Sequence, residues 1–339
     1  MSETLHPKIC IIGAGAIGGF FGAQLAQVFA NVSVIARGET LRNLQRRGWI
    51  LETSGKQIVS PVNAVSDTST LGLQDYVILC VKSYSLEEIA VYLKNLVGPE
   101  TIVIPVINGI PWWFNSQTTN ATHTDLTEGN LSSAVPYHQI LGAVAYPSCH
   151  CIEPGIVRHD AGTQLYFGEP ACNAQTGMPV TKRLQNFVSI LNMAGIDAKV
   201  SAEIKTEVWK KILGNACFNP VSLLTNSSTD LLIDDPLIYN LFESMMSEIL
   251  LLGSAIGIKI ETKISDRISA TRKLGKIKTS MLQDAEAGKL VEIQAILGSL
   301  LAIGLQYNVQ TPNLKTVYAL ARMRAESMGL LKVKNGHHT

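Results

Sequence analysis

Residues 13–18 read Gly-Ala-Gly-Ala-Ile-Gly, and no other feature of the chain restricts its fold as much. The hexapeptide follows the apolar run Lys8–Ile12 and opens a segment of helix length. That is the context a G-x-G-x-x-G turn needs between a parallel strand and its crossover helix. There, Gly13 allows the tight turn, Gly15 lets the backbone approach a pyrophosphate, and Gly18 lets helix and strand pack closely. The helix N-terminus adds free N–H groups and a positive dipole end. The motif points to a dinucleotide held by Gly13, Ala14, Gly15, Ala16, Ile17 and Gly18. A glycine-rich turn with no ligand is the plain alternative in a chain with 27 glycines. Ile9–Ala30 is also long and uncharged enough for a membrane span or signal core. Five glycines between Gly13 and Gly22, and a flank with one Lys and one Glu, speak against both.

At roughly 150 residues per domain, 339 residues predict two domains. Hydrophobic residues at 46% and charged residues at 16% exclude a disordered chain. A formal charge of +1, from 28 basic and 27 acidic residues, excludes broad binding to a nucleic-acid backbone. The six cysteines (Cys10, Cys80, Cys149, Cys151, Cys172 and Cys217) are too few and too scattered for a disulfide framework. A reduced, cytoplasmic protein is expected.

Short apolar runs alternate with helical stretches through the first half: Lys8–Ile12, Val32–Ala36, Gln57–Val65, Tyr76–Val81 and Thr101–Ile107, then Leu141–Tyr146, Gly155–Val157 and Gln164–Gly168. Strands without polar alternation signal a parallel sheet covered on both faces. From Val180 the periodicity is helical: Val180–Ala194, Glu203–Cys217, Pro236–Ile256, Ser280–Ala287, Val291–Tyr307 and Pro312–Met328. Pro236 and Pro312 suit first helical positions behind capping residues. The expected architecture is an α/β Rossmann-type domain with a mostly parallel sheet over 1–170, a linker over 171–178, an all-α domain over 179–332, and a frayed tail over 333–339. A polar stretch within Pro111–His138 is long for a structureless loop. Trp112-Trp113 beside it suits a lid or a subunit contact.

The second strand ends in Arg37, with no carboxylate until Glu39. An NAD site carries an acidic residue there, whereas a guanidinium suits a 2′-phosphate. NADP is therefore expected, with a solvated surface Arg as the alternative. Lys82 and the Asn108-Gly109 pair follow two further apolar strands, where ligands bind in open α/β sheets. An exit charge and a turn pair would look the same. In 203–220, Lys211, Asn215 and Asn219 fall along one helical stripe, which a solvated surface would also allow. Ser280 and Asp284 share a face, and Glu292 opens the next helix after a break at Ala287–Lys289. Cys149-His150-Cys151 lacks a second ligand cluster at metal spacing, so a strand-end structural role is expected and no metal.

These residues together resemble the ketopantoate reductases (2-dehydropantoate 2-reductases) over nearly the whole chain. The resemblance is carried by GAGAIGG, Arg37, Lys82 in VKSYSLEE, Asn108-Gly109, Pro154-Gly155, WKKILGNACFNP (209–220) and SMLQD…E (280–292). It implies NADPH-dependent reduction of 2-dehydropantoate to pantoate, with Lys211 as proton donor. It implies substrate contacts at Asn108, Lys211, Asn215, Asn219 and Ser280. Cofactor contacts are implied at Gly13–Gly18, Arg37, Lys82, Asn108 and Glu292, and at Ser148 through a backbone group. Glu292 could anchor the cofactor's ribose or orient Lys211. The expected partner is a small 2-oxo acid, without nucleic acid or membrane, and a homodimer is a candidate assembly. Two departures, the segment after Asn108-Gly109 and an Asn replaced by Thr229 or displaced to Asn226, leave the identity of the 2-oxo acid open. A reductase of another 2-oxo acid and a non-catalytic NADP(H) sensor are the other readings.

Overall fold

The computed structural model describes residues 6–114, 129–171 and 180–332, and its contacts divide the chain into two units. The first holds the chain to Ile107 and most of the stretch to Glu207; the second holds Asn108–Ile110 and everything from Val208.

The first unit runs β1 (Ile9–Ile12), α1 (Ala16–Val28), β2 (Val32–Ile35), α2 (Gly38–Arg47), β3 (Trp49–Thr53), β4 (Lys56–Ser60), β5 (Asn63–Val65), β6 (Tyr76–Leu79), α3 (Leu86–Leu96) and β7 (Ile102–Pro105). It continues through α4 (Gly129–Ala134), β8 (Gly142–Ala145), β9 (Ser148–Glu153), β10 (Ile156–Ala161), β11 (Leu165–Gly168), α5 (Lys182–Met193) and β12 (Ala198–Val200) to the start of α6 (Ile204–Thr225). Five strands form an all-parallel sheet of order β5-β2-β1-β6-β7. Every residue of β1, β2, β6 and β7 is buried, which is why these strands read as unbroken apolar runs. The strand order reverses at β1, and such a switch point opens a crevice at the C-terminal strand ends.

A second sheet, β4-β3-β10-β9, packs against α1. A Cβ on Gly19 would lie 2.4 Å from Val157 Cγ2, and one on Gly22 would lie 2.4 Å from Trp49 Nε1. The glycine-rich, uncharged run is thus a buried helix lying flush on an indole. Among the described residues no helix is long and apolar enough to cross a membrane. β9 was not legible as a strand, and Cys149-His150-Cys151 lies within it rather than at a strand end. Its residues are half-buried or exposed, so they carry no apolar signal. The third sheet, β12-β11-β8, pairs β12 in parallel with β11. Parallel neighbours need a crossover, and α5 supplies it. Residues 182–200, expected with the helical domain, therefore pack with the sheets. Trp112, Trp113 and Phe114 are buried, and Trp113 rests on Gly142; they are core residues rather than an exposed surface contact. Positions 115–128 of the polar stretch, 172–178 of the expected linker with Cys172, position 179, and the tail 333–339 lie outside the described residues.

The second unit continues α6 and adds α7 (Thr229–Asp234), α8 (Pro236–Ala255), α9 (Ile264–Arg272), α10 (Ser280–Glu286), a π-helical turn over Gln294–Gly298, α11 (Ser299–Gln306) and α12 (Pro312–Ser327). It is all-helical among the described residues. α7 and α9 are short and polar, too short for periodicity to reveal. Asp235 caps α8 by accepting from the N–H groups of Leu237 and Ile238, with Pro236 in the first turn. At α12, Pro312 takes the same place but Thr311 caps nothing. Instead the buried Glu248 of α8 accepts from Asn313 N at 2.9 Å and Leu314 N at 2.9 Å. A carboxylate suits the positive end of a helix, and deleting it leaves the buried N–H of Leu314 and the half-buried N–H of Asn313 unmatched. Glu248→Ala should destabilise the fold by about 2–4 kcal/mol, and Glu248→Gln by about half as much. Urea unfolding followed by circular dichroism checks both.

Candidate functional site

The fingerprint sits at the C-terminal end of β1, where Gly13 has φ +109° and Gly15 is the residue before α1. A Cβ on Gly13 would lie 2.7 Å from the Cys80 carbonyl group, and one on Gly18 would lie 1.9 Å from Gly13 O. The turn is therefore pressed between the start of α1 and the chain leaving β6. Gly15 differs: nothing lies within 4 Å of where its Cβ would be. Ala14, Ala16 and Ile17 pack partly against the core. α1 has no side-chain cap and no acidic residue in its first turn, so its leading N–H groups and positive end are left for an anion. This open cradle at Gly15 fits a dinucleotide pyrophosphate.

Register places the other first-unit residues at the same sheet edge. Ile12 aligns with Ile35 of β2 and Leu79 of β6, and Arg37 and Lys82 follow those strands. Lys82 is half-buried and extended ahead of the 3₁₀ turn Ser83–Ser85. Arg37 donates to Tyr92 Oη from Nε at 3.0 Å and Nη2 at 2.7 Å. Ser148 lies in another sheet, at the start of β9 opposite Ala161.

In the second unit Asn108 joins two residues remote in sequence. Its Oδ1 accepts from Lys211 Nζ at 3.0 Å, and its Nδ2 donates to Glu292 Oε2 at 3.2 Å. The buried carboxylate thereby fixes the amide, because with Nδ2 turned to Glu292 only oxygen faces the lysine. The backbone locks this arrangement. Ile110 N donates to Ala295 O at 3.2 Å, and Gly109, at φ +82°, lies so close that a Cβ would be 2.3 Å from that oxygen. Only glycine fits there. On α6, Trp209 is buried with its Nε1 donating to Ile249 O at 3.1 Å, and Ile212 and Leu213 are buried beside it. This anchors the helix and leaves Lys211 half-buried.

Asn215 is half-buried one turn on, and Asn219 is 5% exposed with its Nδ2 unpartnered among the described residues. A buried amide donor without an acceptor costs about 1–3 kcal/mol, so a ligand acceptor at that point would relieve it. Ser280 is exposed at the start of α10, where Thr279 is the cap. It makes no hydrogen bond to Lys211, Asn215 or Asn219 among the described residues. Asn226 is an exposed left-handed residue just after α6, and Thr229 starts α7 with its N–H on Ile277 O. Asn226 thus serves as a helix-ending residue. Tyr92 was missed because no local pattern pairs a residue in α3 with one after β2.

Burial pushes the thiols of Cys10 and Cys149 up to about 12 and those of Cys80 and Cys217 higher still, so none supplies a thiolate nucleophile near neutrality. His150 Nδ1 lies 2.7 Å from Asp160 Oδ2. No group of three His, Cys, Asp or Glu side chains is placed for a metal ion among the described residues.

A dinucleotide cradle and a lysine–amide–carboxylate cluster agree with what the chain is similar to. Residues 9–171 match the family described as ketopantoate reductase PanE/ApbA, and residues 203–325 match its C-terminal part. The 2-dehydropantoate 2-reductase of Mesorhizobium japonicum is 33% identical over 328 residues, covering 95% of this chain and 99% of that protein. A Ralstonia solanacearum structure assigned to the ketopantoate reductases superposes with TM-score 0.88 at 38% identity, covering 96% of this chain and 99% of the other. D-Mandelate dehydrogenase shares the fold, with TM-score 0.80 at 20% identity over 95% of this chain and 99% of its own. The chain belongs to the ketopantoate reductase family of oxidoreductases.

Proposed function

We propose that the protein reduces the ketone of 2-dehydropantoate to the alcohol of pantoate, with NADPH as reductant. The lysine–amide–carboxylate cluster carries this reading. Lys211 Nζ donates to Asn108 Oδ1 at 3.0 Å, so the lysine is held in a fixed position from which a protonated amine can act as a general acid. The nucleotide, when bound, supplies a hydride to the carbonyl carbon. Lys211 polarises the carbonyl and transfers a proton to its oxygen as negative charge develops there. The amine then regains a proton from solvent, which balances the consumption of one proton per ketone reduced. Asn215 and the unpartnered Nδ2 of Asn219 bind the substrate's oxygen atoms, with Ser280 contributing on the family pattern. Gly13–Gly18 and α1 hold the pyrophosphate, Arg37 the 2′-phosphate, Lys82 and Ser148 other parts of the nucleotide. Glu292 fixes Asn108, which serves substrate and cofactor alike. The first unit, to Glu207, is read as the nucleotide domain, and the helical unit from Val208 as the substrate domain.

A second reading, reduction of another small 2-oxo acid, is favoured by Asn226. It follows the end of α6 in a left-handed conformation, so the further substrate-side Asn of the family pattern is displaced there or replaced by Thr229. A panel of 2-dehydropantoate and smaller and bulkier 2-oxo acids, followed at 340 nm with NADPH and with NADH, decides. The highest kcat/KM is expected for 2-dehydropantoate with NADPH. A higher value for another acid would replace the substrate, and no oxidation with any acid despite nucleotide binding would favour a sensor.

A further inference from the structure

β2 and β6 flank β1 on opposite sides, and α3 is the helix that follows β6. The contact between Arg37 and Tyr92 therefore joins the chain segments on either side of the fingerprint strand. Its geometry is specific. Tyr92 Oη takes both Nε and Nη2 of the guanidinium, whose central carbon lies 5.4 Å from the ring centroid. Nη1 stands 4.0 Å from Glu88 Oε2, beyond hydrogen-bond distance. Arg37 is 62% exposed while Tyr92 is half-buried on α3, so the tyrosine is the fixed member of the pair. A guanidinium has two forked edges, Nε/Nη2 and Nη1/Nη2. The phenol occupies the first, and the second keeps its N–H groups for a two-point hydrogen bond to a phosphate. A solvated arginine would have to surrender its rotamer freedom on binding; one already turned by Tyr92 surrenders less.

We infer that Tyr92 is a positioning residue that turns the free edge of Arg37 toward a 2′-phosphate and thereby raises selectivity for 2′-phosphorylated nucleotides. This rests on the proposed role of Arg37. Calorimetric titration of the full chain with 2′,5′-ADP and with 5′-AMP isolates the 2′-phosphate, since the two probes differ in that group. In the parent protein 2′,5′-ADP should bind the tighter. Arg37→Gln should bring the affinity ratio to about one. Tyr92→Phe, which keeps the ring and loses only the hydroxyl, should lower the ratio about 3–20-fold through 2′,5′-ADP alone. A ratio reduced less than threefold, or equal weakening of both probes, overturns the role of Tyr92 provided Arg37→Gln abolishes selectivity. If Arg37→Gln leaves the ratio unchanged, the reading of Arg37 itself fails. Thermal unfolding of Tyr92→Phe should match the parent, which separates positioning from loss of fold.

Discussion

Replacing Lys211 by alanine should lower turnover by about 10²–10⁴-fold, the range expected for losing a positioned general acid. NADPH affinity should change little, because the fingerprint and Arg37 belong to the first unit while Lys211 belongs to the second. The fold should survive. Lys211 is half-buried, and the packing of α6 rests on Trp209, Ile212 and Leu213. Asn108→Ala should reproduce part of the loss, since it releases the lysine from its 3.0 Å contact and leaves Glu292 without the amide. Steady-state kinetics with fluorescence titration of NADPH distinguishes the outcomes. A Lys211→Ala enzyme within tenfold of the parent would remove the lysine from the chemistry.

The second large effect is expected at the fingerprint, where two glycines should respond in opposite ways to substitution. Gly15 has open space at its Cβ position and no positive φ, so Gly15→Glu should fold with near-parent stability. Its carboxylate would stand where the pyrophosphate belongs. A like charge within about 5 Å, at an effective dielectric near 20, costs about 3 kcal/mol, so nucleotide affinity should fall on the order of 10²-fold. Gly18→Ala should instead lose stability as well as binding, because its methyl group would sit 1.9 Å from Gly13 O. Parallel measurements of nucleotide affinity and thermal unfolding test the contrast. Tight binding by Gly15→Glu would mean that the helix end is not the phosphate site.

The parallel sheet was legible because its strands are buried on both faces and therefore apolar throughout. Strands β9 and β12 were not: β9 has no buried residue and β12 has one of three, so pairing rather than composition makes them strands. The helical unit was legible for helices that bury a continuous stripe, and α7 and α9 fell below that length. Within the site, the stripe of Lys211, Asn215 and Asn219 could be placed on one helix from spacing alone. The Lys211–Asn108 contact crosses 103 residues of chain and the Asn108–Glu292 contact 184, and no local rule reports such contacts. The same holds for Tyr92 beneath Arg37, 55 residues away. Trp112 and Trp113 misled for a related reason: tryptophans beside a polar run resemble a surface feature until the fold supplies the core around them.

Hydride and proton are assigned to separate sources, and isotope labelling follows each. NADPH carrying two deuterons at C4 should yield pantoate with one deuterium at C2 for every nucleotide oxidised, as read by mass spectrometry, and Lys211→Ala should slow that transfer by at least 10²-fold. Product formed without deuterium, or transfer at the parent rate without the lysine, would contradict the assignment.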